Sequence, residues 1–155
     1  MQIFLIILFF ILGTIFGSFC NVVGFRLANG KSLINPKRSY CPECGNTLKA
    51  LDLVPIFSFI FLKGRCRYCH EKISYFYPVM ELFAGILFAV SFYSFGFSYE
   101  LLLSLVFSVF FVIIIVTDLN YYIIPDEVNI AFAIFIFIIN IFIHGFMGAL
   151  LYLCY

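Results

Sequence analysis

RLANGKSLINPKRSYCPECGNTLKALDLVPIFSFIFLKGRCRYCHEK, residues 26–72, carries all nine Lys and Arg residues of this 155-residue chain and four of its six cysteines. Long apolar runs lie on both sides of it. Lys and Arg are retained on the cytoplasmic side of a membrane, so this one stretch fixes an orientation. It also fixes the state of the cysteines, because cytosolic thiols stay reduced and free to hold a metal. The fold class that follows is an all-α polytopic membrane protein with a small cytoplasmic zinc-ribbon-like domain.

Composition agrees. Hydrophobic residues make up 65% of the chain and charged residues 11%, which excludes an ordinary soluble domain. The formal net charge of +1 is uninformative because the two signs are segregated. A lipid bilayer is the expected partner and nucleic acid is not. Beyond the basic stretch the charged residues are Glu81, Glu100, Asp118, Asp126 and Glu127, each costly near lipid and each needing a reason. Trp is absent, so Tyr has to supply any interfacial aromatic belt.

The chain divides into a first transmembrane helix at 1–25, a zinc-binding domain at 26–77 and a transmembrane region at 78–155. The first run is long enough to cross a core of about 30 Å, and its uncharged start and length argue against a signal peptide. Further helices are expected near 78–97, 101–117 and 128–143. His144-Gly145 then precedes a partial helix at 146–155, too short to span and expected to be a half-helix or the start of something longer. Alternation places 26–77 and the 118–127 connection on the same cytoplasmic side.

Cys41-Pro-Glu-Cys44-Gly45 and Cys66-Arg-Tyr-Cys69-His70 each place two residues between thiols, the spacing that lets a tight turn present both sulfurs to one tetrahedral ion. Pro42 stiffens the first turn, and Gly45 permits a positive φ. Two such pairs favour a structural zinc over two disulfides, and zinc offsets the small core with about 10 kcal/mol or more of folding free energy. His70 is a poor substitute ligand beside Cys69. Cys20 and Cys154 lie in apolar runs and are expected to pack.

Asp118 follows an apolar run directly. A carboxylate at a lipid boundary is desolvated and suited to acid–base work, but the same position also suits a residue that merely ends a span in headgroup water. Asp126, after Pro125, is expected to cap the fourth helix. Glu81 is expected to stabilise its own helix N-terminus or to pair with a cation of the basic stretch.

Seven motifs in order resemble the bacterial type IV prepilin peptidases: Gly17-Ser-Phe-Cys-Asn21-Val-Val-Gly-Phe-Arg26-Leu27, Ser39-Tyr-Cys-Pro-Glu-Cys44, Leu51-Asp-Leu-Val-Pro55, Gly64-Arg-Cys-Arg-Tyr-Cys69, Ile73-Ser74, Tyr77-Pro-Val-Met-Glu81, and Asp118 through Pro125-Asp126. The resemblance covers nearly the whole chain. It implies an aspartic enzyme of the inner membrane that cuts basic leaders from prepilins and pseudopilins, then N-methylates the new terminus with S-adenosylmethionine. Asp118 matches the first catalytic aspartate. Asn21 and Arg26, beside the zinc domain, are candidates for the methyl-transfer site, and both also suit structural or snorkelling roles.

The family's second aspartate lies in a G-x-G-D motif that residues 1–155 do not contain. The expectation is therefore half a catalytic dyad, in a fragment, a truncated form or a degenerate copy. Asp126 is a poor replacement, because eight residues of continuous helix would separate the two aspartates by about 12 Å. The competing readings are a membrane-anchored zinc-ribbon binding module with structural aspartates, and a small transport or scaffold subunit.

Overall fold

A computed structural model of the protein describes residues 1–33 and 38–153, with side chains as far as Ile141. Five α-helices follow one another: α1 (Gln2–Ala28), α2 (Phe57–Phe61), α3 (Phe76–Phe95), α4 (Tyr99–Tyr121) and α5 (Asp126–Leu153), with one 3-10 turn at Ala50–Leu53. Among the described residues, α1, α3 and α4 are long and apolar enough to cross a membrane. No strand forms among them, only two isolated antiparallel bridges in the cysteine segment.

α1, α4 and α5 extend beyond their apolar runs, whereas α3 starts two residues early and stops two residues short. α4 continues through Asp118-Leu-Asn to Tyr121, where Tyr122 takes a left-handed conformation and donates its N–H to the Asp118 carbonyl at 2.8 Å. Ser98 starts the same helix by accepting the Leu101 N–H at 3.3 Å. Hydropathy marks where a helix meets lipid, whereas its ends are set by where backbone groups find other partners. α5 runs unbroken through His144-Gly145, which therefore separates nothing. One mid-helix glycine costs only about 1 kcal/mol, too little to stop a 28-residue apolar helix. Asp126 stands in the first turn of α5 rather than before it, where its charge still favours the helix dipole.

The tightest seam of the bundle lies between α1 and α3, and glycine makes it. A Cβ on Gly13 would lie 2.6 Å from the Ala84 carbonyl oxygen and 2.8 Å from Gly85 Cα. On Gly17 it would lie 2.8 Å from Ala84 Cβ and 2.9 Å from Glu81 Cα. These are backbone and Cβ atoms that cannot swing aside. Gly13 and Gly17, four residues apart, thus form one flat stripe into which the opposing backbone packs, as small residues do between membrane helices. The contacts Gly13–Gly85, Gly17–Glu81 and Asn21–Tyr77 descend in step, so the two helices are antiparallel.

α4 closes the third side. Gly24 seats Val116, and the Cys20 thiol lies 3.7 Å from the Val109 carbonyl, deep in the cluster with Val112, Ile113 and Met80. Cys20 packs as expected, while Cys154 lies outside the described residues. The ends of α1 and α4 meet where the Phe25 and Tyr121 rings approach at 6.3 Å. Asp118 therefore stands at the same end of the bundle as the cysteine segment.

Candidate functional site

The two cysteine pairs fold as copies of one knuckle. Cys41 N–H donates to the Asn46 carbonyl and Gly45 N–H to the Cys41 carbonyl, and Tyr40 bridges Thr47. Cys66 N–H donates to Glu71 and His70 N–H to Cys66, and Arg65 bridges Lys72. Gly45 adopts φ +70° and His70 φ +59° at the equivalent corner. His70 thus serves as a turn residue in a conformation that costs a non-glycine residue about 1–2 kcal/mol.

The knuckles face each other so that the sulfurs of Cys41, Cys44, Cys66 and Cys69 all lie within 4.8 Å of one another. Cys41 Sγ and Cys69 Sγ, from opposite knuckles, are 3.9 Å apart. Bonds of about 2.3 Å to a tetrahedral ion imply sulfurs separated by about 3.8 Å, so the cluster can hold a metal ion and its geometry is consistent with zinc. The local field prepares it. Burial pushes the Cys66 thiol up, but the Cys69 and Tyr68 amides outweigh it and bring the group down to about 7. The Asn46 amide draws the Cys44 thiol down against a smaller effect of burial. At Cys69 the Glu71 amide opposes, but burial and the three neighbouring thiols raise it to about 12. A crowded set of this kind gives up its last protons to an arriving cation.

Asp52 locks the second knuckle in place. Its carboxylate accepts from Arg67 Nε at 2.6 Å, the Lys49 amide at 3.0 Å and the Tyr68 hydroxyl at 3.5 Å, and only 3% of its side chain is exposed. Arg67 and Tyr68 are the two residues between Cys66 and Cys69. Burial opposes ionisation, but these donors prevail and hold the Asp52 carboxyl below its usual range. The Asp sits in a matched motif, yet its partners could not be read from spacing.

Beneath the knuckles, a cavity of about 390 Å3 opens between them and the ends of α1 and α3. Its lining includes Asn21, Arg26, Tyr77 and Glu81. Asn21 is 2% exposed and donates its Nδ2 to the Tyr77 carbonyl at 3.2 Å, which fixes the orientation of the amide. Its Oδ1 is buried with no hydrogen-bond partner among the described residues. An unpaired buried acceptor of this kind costs about 1–3 kcal/mol. The buried Arg26 guanidinium donates to the carbonyls of Leu33 at 2.8 Å and Arg38 at 3.4 Å, tying both residues to the end of α1.

Glu81 is buried, and its partner differs from the cation or helix terminus expected. Its carboxylate accepts the Ile56 N–H at 2.7 Å and the Ser18 hydroxyl, joining α3, α1 and the cysteine segment at one point. Ile56, with φ 61° and ψ −52°, is the centre of a γ-turn, as Phe57 N–H reaches back to the Pro55 carbonyl. That turn is near the rare, strained form at about +75° and −65°. Glu81 holds the one backbone donor that the turn presents to the bundle.

Asp118 is exposed at the end of α4, with no carboxylate partner among the described residues, and it does not line the cavity. Its neighbour Thr117 is fully buried and bonds back to the Ile113 and Ile114 carbonyls. Asp126 lies just beyond the Tyr122–Pro125 connection.

The family described as bacterial peptidase A24 N-terminal domain matches residues 11–95, covering most of α1, both knuckles, α2 and α3. The chain is 42% identical over 127 residues to the prepilin leader peptidase/N-methyltransferase of Bacillus subtilis (strain 168), spanning 82% of this chain and 51% of that protein. It is 40% identical over 116 residues to the protein of the same name from Myxococcus xanthus (strain DK1622), spanning 75% of this chain and 34% of that one. The one from Klebsiella pneumoniae is 38% identical over 123 residues, 76% of this chain and 54% of its own. The chain thus spans about half the length, or less, of the curated relatives it matches. No solved structure matches it.

Proposed function

The chain belongs to the bacterial A24 peptidase family by its N-terminal domain, and from that premise we propose that it works as a prepilin leader peptidase/N-methyltransferase of the bacterial inner membrane. In this reading residues 26–77 and 118–127 face the cytoplasm, and the substrates are prepilins or pseudopilins with basic leaders. The observation that carries the proposal is the cavity at the bundle end, with Asn21 in its lining and Asp118 at the same end.

Asp118 is assigned as one carboxylate of an aspartic pair. One member of such a pair takes a proton from water while the other, protonated, polarises the peptide carbonyl. Exposure leaves Asp118 accessible to water and to a peptide arriving along the membrane face. Residues 1–155 supply this one member.

Zinc, held by Cys41, Cys44, Cys66 and Cys69, is assigned a structural role: it supplies four bonds that tie two knuckles with little core of their own. The cavity is assigned to methyl transfer, its volume lying in the ordinary range of about 300–1,000 Å3 for small-molecule sites. S-adenosylmethionine, when bound, supplies an electrophilic methyl group. Asn21 Oδ1 accepts an N–H from a ligand there, and Arg26 fixes the Leu33 and Arg38 carbonyls beside it. In the full-length protein, Asp118→Asn should abolish leader cleavage and leave zinc content unchanged. Asn21→Ala should spare cleavage and lose methylation, read by the mass of the processed pilin. Cleavage that survives Asp118→Asn overturns the assignment.

A further inference from the structure

α2 is apolar on both faces. Phe59 and Leu62, with Ser58, turn inward and line the cavity, and the Phe59 ring packs on Tyr75 at 5.2 Å. Phe57, Ile60 and Phe61, at helical spacing on the other side, stay largely exposed, Phe61 to 82%. Leu51, 72% exposed, lies just upstream, and Lys63 and Arg65 follow directly. A helix that is hydrophobic all round belongs in a core or in lipid.

The depth of α2 can be worked out from its tether. α3 has 20 residues, about 30 Å of helix, which is just the thickness of a bilayer core. Its first turn must therefore lie at the membrane boundary for the helix to span. Glu81 is the sixth residue of α3, and its carboxylate holds the Ile56 N–H at 2.7 Å, immediately before α2 begins. α2 consequently sits level with the opening turns of a spanning helix.

We propose that the outer face of α2, with Leu51, enters the headgroup and upper acyl region of the same bilayer, so that the cysteine domain is moored to the membrane at a second point. The apolar side chains would reach about 5–10 Å into the boundary, as interfacial helices do. Lys63 and Arg65 would meet anionic headgroups. A face of four side chains, Leu51, Phe57, Ile60 and Phe61, is too small for a stable protein interface of about 800 Å2 per partner, which favours lipid over a second copy. The inference rests on the spans and the Glu81 tether, independent of catalysis.

The chain contains no Trp, so one introduced residue reports alone. Phe61→Trp, with Phe57→Trp as its duplicate, would be reconstituted at high dilution in vesicles of mixed phosphatidylcholine and phosphatidylglycerol. The expected result is blue-shifted emission, lost for the most part when the lipid is brominated near the glycerol end of its acyl chains and less so when brominated deep. Thr47→Trp, on the first knuckle, should emit as a water-exposed indole. Water-like, unquenched emission from both variants overturns the proposal. Blue-shifted emission that no brominated lipid quenches also overturns it, since a protein surface would then be the cover.

Discussion

Replacing Glu81 with Ala tests whether one carboxylate joins the bundle to the cysteine segment. The structure gives that carboxylate the Ile56 N–H at 2.7 Å, in a buried setting and at a backbone position that is strained. A hydrogen bond to a charged group contributes about 1.5–3 kcal/mol. Taking about 2 kcal/mol, its loss should make opening of the 54–62 segment about 30-fold more frequent. The strain at Ile56, of order 1–3 kcal/mol, favours the opened form once the tether is gone. Hydrogen exchange of peptides covering 54–62, in detergent or nanodiscs, would read this directly. Glu81→Gln keeps a carbonyl acceptor and should show a smaller increase. Exchange that is unchanged in Glu81→Ala would refute the tether. An increase spread evenly over α1, α3 and α4 would refute its local character.

Purified protein should carry one equivalent of zinc, and chelation or Cys66→Ser should unfold residues 38–75 while helical circular dichroism from the spans persists. Gly17→Val should cost the bundle about 2 kcal/mol or more, because its Cβ meets Ala84 Cβ and Glu81 Cα below 3 Å, and thermal unfolding in detergent would report it. Asp52→Asn should destabilise the zinc-loaded cysteine domain by about 1–2 kcal/mol at neutral pH. Because the folded carboxyl is held below its ordinary value, that advantage of the wild type is full above about pH 4 and disappears as pH falls through the lower folded value. Acid loss of zinc affects both proteins alike, so the difference between them is the reading.

The apolar runs and the thiol pairs were legible because each is a local signal: spans announce themselves by length, and C-x-x-C by the turn it forces. Helix ends were less so, as α4 carries Asp118 and Asn120 in regular helix that hydropathy alone would leave out. Helical periodicity gave nothing inside α1, where every face is apolar. The pattern that would have found its packing face was the spacing of Gly13, Gly17 and Gly24. Glu81 illustrates what sequence withholds. Its partner is a backbone amide 25 residues away, and a backbone donor leaves no mark in side-chain identity. The clamp from Asp52 to Arg67 was hidden for a similar reason, since any cation of the basic stretch was a candidate until the fold selected one.

The glycine stripe and the cavity are one construction. Gly17 and Asn21 are four residues apart and so lie on the same face of α1. The step that brings Gly17 against Glu81 also brings Asn21 within 3.2 Å of the Tyr77 carbonyl. That bond commits the Nδ2 side of the amide, and Oδ1 finds no partner among the described residues. A larger residue at position 17 would separate the helices where Glu81 holds Ile56, and one turn further on it would release the Asn21 amide from Tyr77. Close packing in the membrane therefore sets the chemistry at its edge. On this account Gly17→Val should impair methyl transfer even though it touches no ligand, and Gly13→Val, one turn deeper, should impair stability more than transfer.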